Sequence, residues 1–394
     1  MTVYIHQLSL VNALGSRPGE ILSNWSAGRA PGLEVSTAWL TDGSPVRVGT
    51  VDDASLPAIP AVFRPHHDSR NNRLLMKLIE DDREAWDAHL SKVDSTRVAV
   101  VLGTSTSGSE EVSRFVKARI DGVDDGGFSG WSQEMGDPSR FLAAYLGFRG
   151  PAYTVCTACT SSSRAVMTAV RLIEAGIVDA AVAGGADTLS PMPVNGFNAL
   201  GVLSKTGARP LSEGRDGITI GEAAGLVWLS REPSDVAVLG MGESSDGYHM
   251  SSPDPEGAGA EKAVAGALAE AGLEPGAIDY VNLHGTATPL NDSAECRAVS
   301  SVLGSSTVAG STKNLTGHTL GAAGITDLGL CVLLLRHEGP FMLPPQFAPG
   351  DVPDPALAPL SLALGPTPVE ARTAMSTNFA FGGNNTALII GVTK

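Results

Sequence analysis

Apolar positions along the chain fall into short continuous runs and into longer stretches with helical spacing. The runs predict strands, because a strand that is covered on both faces of a sheet is apolar along its whole length. They cover residues 3–11, 98–102, 180–183, 278–283, 308–310, 374–377 and 387–392. Helical spacing occurs between them, in residues 73–86, 161–174, 261–271, 292–302 and 322–337. Strands that alternate with helices predict an α/β fold with mostly parallel sheets.

One strand–turn–helix unit occurs twice. A strand that ends near residue 159 is followed by a helix of small residues, and a strand that ends near residue 313 is followed by another. The repetition predicts a duplicated fold with a site between its halves. Two segments rich in glycine or proline, 201–217 and 339–368, predict a surface connection and an extended covering segment.

The composition of the chain argues against several classes of protein. The chain has 394 residues, of which 43% are hydrophobic and 18% charged, and this balance excludes a disordered protein. A net charge of −15 argues against general binding of nucleic acid or anionic membranes. Four cysteines do not form a disulfide framework, and the start of the chain lacks the basic region of a signal peptide. No apolar run approaches the 18 or more residues that span a bilayer, so we expect a cytoplasmic protein.

The first candidate for chemistry is Cys159, in the segment 155–163, VCTACTSSS. Backbone N–H groups at a helix start favour an anion, which predicts a lowered pKa and a nucleophilic thiol. A buried structural cysteine is the alternative. The spacing of Cys156 and Cys159 also fits a redox or zinc motif, but Cys296 and Cys331 show no paired spacing, which argues against zinc.

Two histidines follow other strand ends. His284 begins HGTATPLND, and His318 lies in KNLTGHTLGAAG, five residues after Lys313. An imidazole at a strand end beside a glycine turn is well placed to face a cavity, whereas a core histidine and a capped helix with a solvated lysine are the alternatives. One cysteine and two histidines in such positions predict a thiol-based site.

The segment 378–385, NFAFGGNN, lies between two predicted strands. Its glycines permit positive φ angles and a close approach of the backbone to a ligand. The two phenylalanines beside them suit the wall of an apolar pocket, and a plain hairpin turn is the alternative.

Together these motifs resemble the elongating β-ketoacyl-acyl carrier protein synthases of the thiolase superfamily. The resemblance covers nearly the whole chain and includes GGAD at 184–187, RDG at 215–217 and GEAAG at 221–225. It implies a thiolase-like α/β fold, with duplicated βαβαβαββ halves in a five-layer αβαβα sandwich that is normally dimeric. The halves would be residues 1–235, with the cysteine, and 236–394, with the histidines and the lysine.

The resemblance implies a decarboxylative condensation. Cys159 would take an acyl chain from the phosphopantetheine of an acyl carrier protein as a thioester. His284 and His318 would then help malonyl-carrier protein lose CO₂, and the carbanion would attack the thioester. The backbone N–H groups of Cys159 and Phe381 would bind the oxyanion.

The resemblance also implies supporting roles. Lys313 resembles the orienting charge of the family's site, paired with Glu295, and Asp292 is a second supporting carboxylate. No cofactor and no metal are implied, because phosphopantetheine arrives on the carrier protein as a substrate.

Substrate contacts come from two of the motifs. Thr286 and Thr288 resemble contacts to phosphopantetheine, and Phe379, Phe381 and Gly382 surround the implied acyl pocket, with Phe381 as its gate.

The motifs separate this chain from three relatives. Thiolases use a C-terminal reactive cysteine, whereas the last cysteine here is Cys331. Initiating synthases that use CoA carry asparagine at the position of His318, and chain-length-factor subunits lack the nucleophile. A non-catalytic partner subunit and a thiol-dependent hydrolase that uses Cys159 and His284 are the competing functions.

The chain departs from the family pattern in two places. PLSEG at 210–214 precedes RDG where the family has an aromatic and an acid, and FAFGGNN at 379–385 replaces the usual FGFGGTN. Both lie near the implied gate and cavity. We therefore expect either a specialised pathway, such as aryl polyene synthesis, or a housekeeping fatty-acid role. The dimer would contain two copies of this chain or one copy and a chain-length-factor-like subunit.

Positive charge is concentrated at Arg64, Arg70, Arg73 and Lys77, in a stretch that aligns with the family's carrier-docking segment. Carrier proteins are acidic, so a local cationic patch would attract one despite the net charge of this chain. We predict that the patch docks the carrier protein, with Arg209 as a weaker candidate. An ordinary solvated helix face is the alternative.

Overall fold

The computed structural model describes residues 1–123 and 129–393. Its strands are β1 (Val3–Val11), β2 (Leu33–Ser36), β3 (Val46–Gly49), β4 (Val98–Gly103), β5 (Ala152–Val155), β6 (Ala180–Asp187), β7 (Ile220–Gly221), β8 (Ala223–Ser230), β9 (Val236–Ser245), β10 (Tyr280–Asn282), β11 (Val308–Gly310), β12 (Phe341–Leu343), β13 (Ser361–Leu362), β14 (Thr367–Val369), β15 (Thr373–Ala380) and β16 (Asn384–Val392).

The helices are α1 (Pro18–Ser26), α2 (Arg70–Asp81), α3 (Arg83–Leu90), α4 (Ser109–Ile120), α5 (Asp137–Leu146), α6 (Ser161–Glu174), α7 (Pro191–Ala199), α8 (Ala258–Ala271), α9 (Pro289–Leu303), α10 (Lys313–Thr316) and α11 (Ala323–Arg336). Short 3₁₀ turns, among them Gly130–Gln133 and Phe381–Gly383, lie between these elements. Within the described ranges, no helix has both the length and the apolar character that a membrane crossing requires.

Local pattern predicts several elements residue for residue. The strands at 3–11 and 308–310 and the helix at 161–174 have the predicted bounds. The single helix predicted at 73–86 is wrong, because two helices part at Asp82, whose φ of −124° and ψ of 32° are not helical. The Asp82 carboxylate accepts a hydrogen bond from the Ser9 hydroxyl at 2.8 Å, a contact with a distant strand that periodicity does not encode.

An eleven-stranded sheet has the order β13-β11-β10-β15-β16-β9-β1-β8-β6-β4-β5, and one pairing pattern occurs in it twice. From β1, the neighbours β8 and β6 are joined by antiparallel pairings, and β4 and β5 follow in parallel. From β9, the neighbours β16 and β15 are antiparallel, and β10 and β11 follow in parallel. This repetition is the duplication that the sequence predicts, and β1 pairs with β9 where the copies meet.

Five layers follow from the helix contacts. Helices α6 and α11 contact each other and lie between the two halves, α6 against β4 and β6 and α11 against β15. Helices α2 and α5 cover the outer face of the first half, and α8 and α9 cover that of the second. Helix α11 is buried from Ala323 to Leu335, as expected of a helix in a middle layer that is apolar on all sides.

Glycines bring the starts of α6 and α11 to one point. A Cβ on Gly103 would lie 2.3 Å from the backbone of Ser161 and Ser162, and a Cβ on Gly324 would lie 2.5 Å from the nitrogen of Ser163. The Ile325 N–H also donates to the Ser162 hydroxyl at 2.9 Å. The N-terminal ends of both middle-layer helices therefore meet where the strands of the two halves end.

Candidate active site

Cys159, His284 and His318 come together at the starts of α6 and α11. All three residues are buried, and their reactive atoms, Sγ and one nitrogen of each ring, lie within 4.8 Å of one another. His318 Nε2 lies 3.0 Å from Cys159 Sγ. The two imidazole rings meet edge to face with their centroids 5.1 Å apart. The convergence of the three motifs that the sequence predicts is therefore confirmed.

Each of the three loops contains a strained backbone position. Ala158 has a φ of 53°, Ala287 of 67° and Leu320 of 51°. Residues with a Cβ rarely occupy this left-handed region, at a cost on the order of 1–3 kcal/mol each, and such residues cluster at functional sites. The surrounding structure thus holds the backbone beside Cys159, His284 and His318 in conformations that the local sequence disfavours.

Burial controls the protonation of the thiol. It raises the pKa of Cys159 to about 12, although the Lys313 ammonium and the Phe381 N–H directed at the sulfur act in the opposite direction. The lowered pKa predicted from the helix start is therefore wrong, because desolvation of a thiolate outweighs the helix terminus at this depth. The resting site contains a neutral thiol.

Hydrogen bonds assign the tautomers of both histidines. The Leu320 N–H donates to His318 Nδ1 at 3.2 Å, and the Asn378 amide donates to His284 Nδ1 at 3.4 Å. A neutral imidazole that accepts at Nδ1 carries its proton on Nε2. Burial, assisted by the Lys313 charge, lowers the pKa of His284 well below its ordinary value and that of His318 to about 3. Both rings are neutral and offer an Nε2–H donor.

Lys313 is paired with Asp327. Its Nζ lies 2.8 Å from Asp327 Oδ2, and both side chains are buried. The Asn378 amide donates to the same carboxylate oxygen at 2.9 Å. The Lys313–Glu295 pair implied by the resemblance is therefore wrong, because both oxygens of Glu295 accept hydrogen bonds from other groups.

Glu295 supports the loop that carries His284. Its Oε1 accepts the His284 N–H at 2.7 Å and the Thr377 hydroxyl at 2.9 Å, and its Oε2 accepts the Gly285 N–H at 2.6 Å. Burial raises the pKa of this carboxyl to about 7, against the hydrogen bonds that lower it. Glu295 thus holds the backbone of His284 rather than the side chain of the lysine.

Asp292 fastens a second segment to the same loop. Its carboxylate accepts the Leu211 N–H at 2.8 Å and the Ala287 N–H at 3.1 Å, and burial raises its pKa to about 6. Gly217 also donates to the Ala287 carbonyl at 3.0 Å. The prediction of a surface connection at 201–217 is wrong for much of this segment, because Leu211 and its neighbours are buried beneath the site.

Two functional residues escaped the sequence reasoning. Asp327 and Asn378 join the Lys313 charge to His284 Nδ1 through hydrogen bonds. Asp327 is the only acid in the mostly apolar helix α11 and lies far from the charged Arg336 at its end, and this isolated charge is the signal that would have singled it out. Asn378 gave no comparable signal, since asparagine is common in turns.

A cavity of about 370 Å³ leads to the thiol. Its walls include four of the predicted substrate contacts, Thr286, Thr288, Phe379 and Phe381, together with Phe197, Leu200 and Leu290, which the sequence did not indicate. The fifth predicted contact, Gly382, is not part of this lining, and its N–H donates to the Met250 carbonyl at 2.9 Å. Exposed leucines at 200 and 290 mark the side that faces solvent.

The predicted docking patch is not a free cationic surface. Arg70 is paired with Glu222 and Asp53, at 2.6 Å in each case. Lys77 is buried and lies 2.8 Å from Asp81. The docking prediction is therefore wrong for Arg70 and Lys77, because pairing within the chain has neutralised both charges.

The other members of the patch are also engaged. Arg73 is partly buried and donates to the carbonyls of Leu56 and Pro57, at 3.2 and 3.1 Å. Arg64 is exposed, and its Nε donates to the Ile59 carbonyl at 2.8 Å. The cleft beside them, of about 900 Å³, is lined by more acidic than basic side chains. Arg209, the weaker candidate, lies 3.4 Å from Asp351.

Among residues 1–123 and 129–393, Cys159, His284 and His318 form the group whose donor atoms could hold a metal ion. Three ligands suit a catalytic rather than a structural zinc site. A metal would have to displace the proton that the hydrogen bonds assign to each Nε2. The arrangement of neutral donors around a thiol suits the stabilisation of a developing oxyanion.

Comparison with known proteins covers both halves. Residues 65–234 match the family model of the β-ketoacyl synthase N-terminal domain, and residues 236–347 match that of the C-terminal domain. The 3-oxoacyl-[acyl-carrier-protein] synthase 2 of Coxiella burnetii is 29% identical over 98% of each chain. Its namesake from Vibrio cholerae is 36% identical over 63% of this chain and 64% of its own.

Solved structures show the same fold over the whole chain. The ketosynthase ApeO, in complex with its chain length factor ApeC from Xenorhabdus doucetiae, is similar with a TM-score of 0.96 and 47% identity, over 100% of this chain and 98% of that one. A β-ketoacyl synthase from Burkholderia phymatum has a TM-score of 0.87 and 28% identity, over 100% of both chains.

Proposed function

Because this chain belongs to the β-ketoacyl synthase family, we propose that Cys159 carries the acyl group in its reaction and that His284 and His318 stabilise the enolate. The chain is an acyltransferase-type condensing enzyme, a 3-oxoacyl-[acyl-carrier-protein] synthase. One observation carries the assignment of roles: a buried thiol and two neutral Nε2–H donors lie at the end of one cavity.

The first step loads the enzyme. Cys159 Sγ attacks the carbonyl carbon of the acyl thioester, a new thioester bond forms, and the bond to the phosphopantetheine sulfur breaks. The thiol proton leaves to that departing sulfur. The N–H groups of Cys159 and Phe381 receive the oxyanion, and the Lys313 charge offsets the negative charge that develops on the sulfur.

The second step forms the carbon–carbon bond. The bond between the α-carbon of the malonyl thioester and its carboxylate carbon breaks, CO₂ leaves, and the electron pair is delocalised onto the thioester oxygen as an enolate. The Nε2–H groups of His284 and His318 donate to the enolate oxygen. The carbanion then attacks the carbonyl carbon of the acyl group on Cys159, the bond from that carbon to the sulfur breaks, and the released thiolate takes a proton from water to restore the neutral thiol. Neutral imidazoles can act in this way because burial keeps the pKa of both rings low.

Two substitutions of the nucleophile test this assignment. Cys159→Ala should gain no acyl mass on incubation with acyl-carrier protein. Cys159→Gln should also lack the adduct but continue to release CO₂ from malonyl-carrier protein, because both imidazole donors remain. Intact-mass spectrometry and CO₂ release measure the two steps, with the unsubstituted protein as control.

The same measurements separate the competing functions. Normal condensation by either variant would remove Cys159 from the mechanism. A non-catalytic partner subunit would gain no acyl adduct even without substitution. A thiol-dependent hydrolase would release free acid in the absence of malonyl-carrier protein.

We infer that the partner is a chain-length-factor-like subunit and that it packs on the free edge of β5. The strand order ends at β5, which carries the exposed Tyr153. Helix α5 packs on β5 and contacts the 130–133 turn, which in turn contacts α4. Exposed apolar side chains on and near this turn and on α4 are those of Val116, Ile120, Trp131 and Met135. Exposed apolar area beside an unpaired strand edge is typical of a protein interface. The similar ketosynthase ApeO forms a complex with its chain length factor ApeC. This supports a chain-length-factor-like partner rather than a second copy of this chain.

We also propose where the substrate enters, which pathway the product belongs to, that no cofactor is needed and in which compartment the reaction takes place. The arm of the carrier protein enters the cavity beside Leu200 and Leu290, and the product belongs to a specialised polyene or polyketide pathway. The steps above use a thiol, two imidazoles, the Lys313 charge and backbone N–H groups, all supplied by this chain, which supports a reaction without a metal or resident cofactor. The cytoplasm is the compartment we propose for it.

A further inference from the structure

We propose that the buried ion pair between Arg70 and Glu222 positions the His318 imidazole for decarboxylation. Both residues are then positioning residues of the reaction, although neither borders the cavity that contains Cys159. The inference rests on the role proposed above for His318. It also gives a function to Arg70, whose predicted part in docking the structure contradicts.

The backbone of His318 is held by the segment that contains β7. The His318 N–H donates to the Thr219 carbonyl at 2.6 Å, and the Gly221 N–H donates to the His318 carbonyl at 3.0 Å. A Cβ on Gly221 would lie 2.3 Å from the Thr316 carbonyl oxygen, so the two segments are in direct backbone contact. The position of the imidazole therefore follows the position of residues 219–221.

Glu222, the next residue, anchors that segment. It is fully buried, and Arg70 donates to it with Nη2 at 2.6 Å and with Nε at 2.9 Å, a bidentate pairing. The Val51 N–H donates to its Oε1 at 2.8 Å, and its own N–H donates to the Gly49 carbonyl at 2.9 Å. One carboxylate thus ties β7 to the end of β3 and to the start of α2.

Arg70 is itself fixed at several points. Its Nη1 donates to Asp53 Oδ1 at 2.6 Å, its Nη2 to the Val51 carbonyl at 2.7 Å, and its backbone N–H to Glu111 Oε1 at 2.7 Å. A planar guanidinium held in this way sets both the position and the orientation of the Glu222 carboxylate. Lysine at this position would preserve the charge and lose the bidentate geometry.

The two chemical steps should respond differently when this pair is broken. Decarboxylation needs the His318 donor at hydrogen-bond distance from a developing oxyanion, and a misplacement of about 1 Å can cost about 100-fold in rate. Loading of Cys159 places its oxyanion on the N–H groups of Cys159 and Phe381, and His318 contacts only the sulfur, at 3.0 Å, so loading should depend less on the exact position of this imidazole. A selective loss of decarboxylation is therefore the signature of positioning.

The experiment combines Arg70→Met and Glu222→Gln, each made with Cys159 intact and in the Cys159→Gln background. We expect CO₂ release from malonyl-carrier protein in that background to fall by about 10- to 100-fold, and the rate of acyl-adduct formation on intact Cys159 to fall by less than about threefold. Arg70→Lys should recover part of the decarboxylation. Arg83→Met is the control, because Arg83 is half-exposed, follows the same helix and is paired with Glu80 and Asp87 rather than with Glu222 or Asp53, and it should leave both rates unchanged.

Two results would overturn the inference. One is an equal loss of both steps, which a general weakening of the fold would produce, and the other is no loss of decarboxylation in either variant. If the Met and Gln variants do not fold, Arg70→Lys and Glu222→Asp decide by the same ratio of rates. A Cys159→Gln parent that releases no CO₂ would instead contradict the proposed role of the histidines, so the two failures are distinguishable.

Discussion

At the scale of single residues, burial determines the chemistry of the site more than local charge does. The Cys159 thiol is neutral and both imidazoles are neutral, because a fully buried position penalises every charged form. The one cation retained among them, Lys313, has a buried counter-ion in Asp327. The site therefore works with hydrogen-bond donors rather than with a preformed thiolate–imidazolium pair.

The Lys313–Asp327 pair makes a prediction for stability. Asp327→Leu should lower the free energy of unfolding by about 3–5 kcal/mol, because it leaves a desolvated ammonium without a counter-ion. The double variant Lys313→Met/Asp327→Leu should recover much of that loss, since both charges are then absent. Urea denaturation followed by circular dichroism measures the difference.

A surface pair supplies the control for this experiment. Arg83 and Asp87 lie 2.9 Å apart in an (i, i+4) pair on an exposed helix face. Asp87→Leu should change stability by no more than about 1 kcal/mol, because solvent screens such pairs. An Asp327→Leu variant as mildly affected as this control would show that the buried pair contributes little.

At the scale of elements, close packing of helix starts against strands places the nucleophile. The turn before α6 holds Cys159, and it reaches its position because Gly103 on β4 presents no side chain to Ser161 and Ser162. Helix α11 approaches in the same way through Gly324. These two glycines allow Cys159 and His318, on different halves of the duplicated fold, to lie within hydrogen-bond distance.

Gly103→Ala tests this dependence. The added methyl group would meet backbone atoms at 2.3 Å, so α6 must shift, and we expect a loss of about 1–3 kcal/mol in stability together with slower loading of Cys159. Thermal unfolding and intact-mass acylation measure the two effects. Gly276→Ala is the control, since a Cβ there meets no atom within 4 Å. Equal behaviour of the two variants would contradict the packing argument.

At the scale of the whole molecule, the duplicated sheet has two different ends. β5, which carries the exposed Tyr153, forms one end, and β13 forms the other end. The arginines of α2 are engaged within the chain, so the cavity mouth beside Leu200 and Leu290 is the entry that we propose for the carrier arm. The free β5 edge is the place that we propose for the partner subunit.

A charge inserted beside β5 should weaken the complex with a chain-length-factor-like subunit. Ile120 is 80% exposed, and Ile120→Arg combined with Tyr153→Arg should raise the dissociation constant at least about 10-fold, because an interface core disfavours unpaired charge. Analytical ultracentrifugation measures the association. Leu364→Arg, at a residue 70% exposed near β13, is the matched control. Loss of binding with the control alone would move the interface to the other end of the sheet.

The sequence by itself determined some of the elements and the three motifs of the site, whereas it did not indicate the central strands β8 and β9. Periodicity over neighbouring residues predicts β1 and α6, and a thiol or imidazole between a strand end and a helix start marks Cys159, His284 and His318, because all of these signals are local in the chain. The tertiary structure decided the electrostatics. The pairing of Lys313 with Asp327, the capture of Arg70 by Glu222 and the neutral thiol of Cys159 depend on burial and on groups that meet from distant segments, 152 residues apart for Arg70 and Glu222. A local sequence pattern does not contain information on burial or on contacts between distant segments. For this reason, residue types alone suggested a cationic docking surface and a thiolate. The fold has a buried ion pair at Arg70 and a protonated sulfur at Cys159.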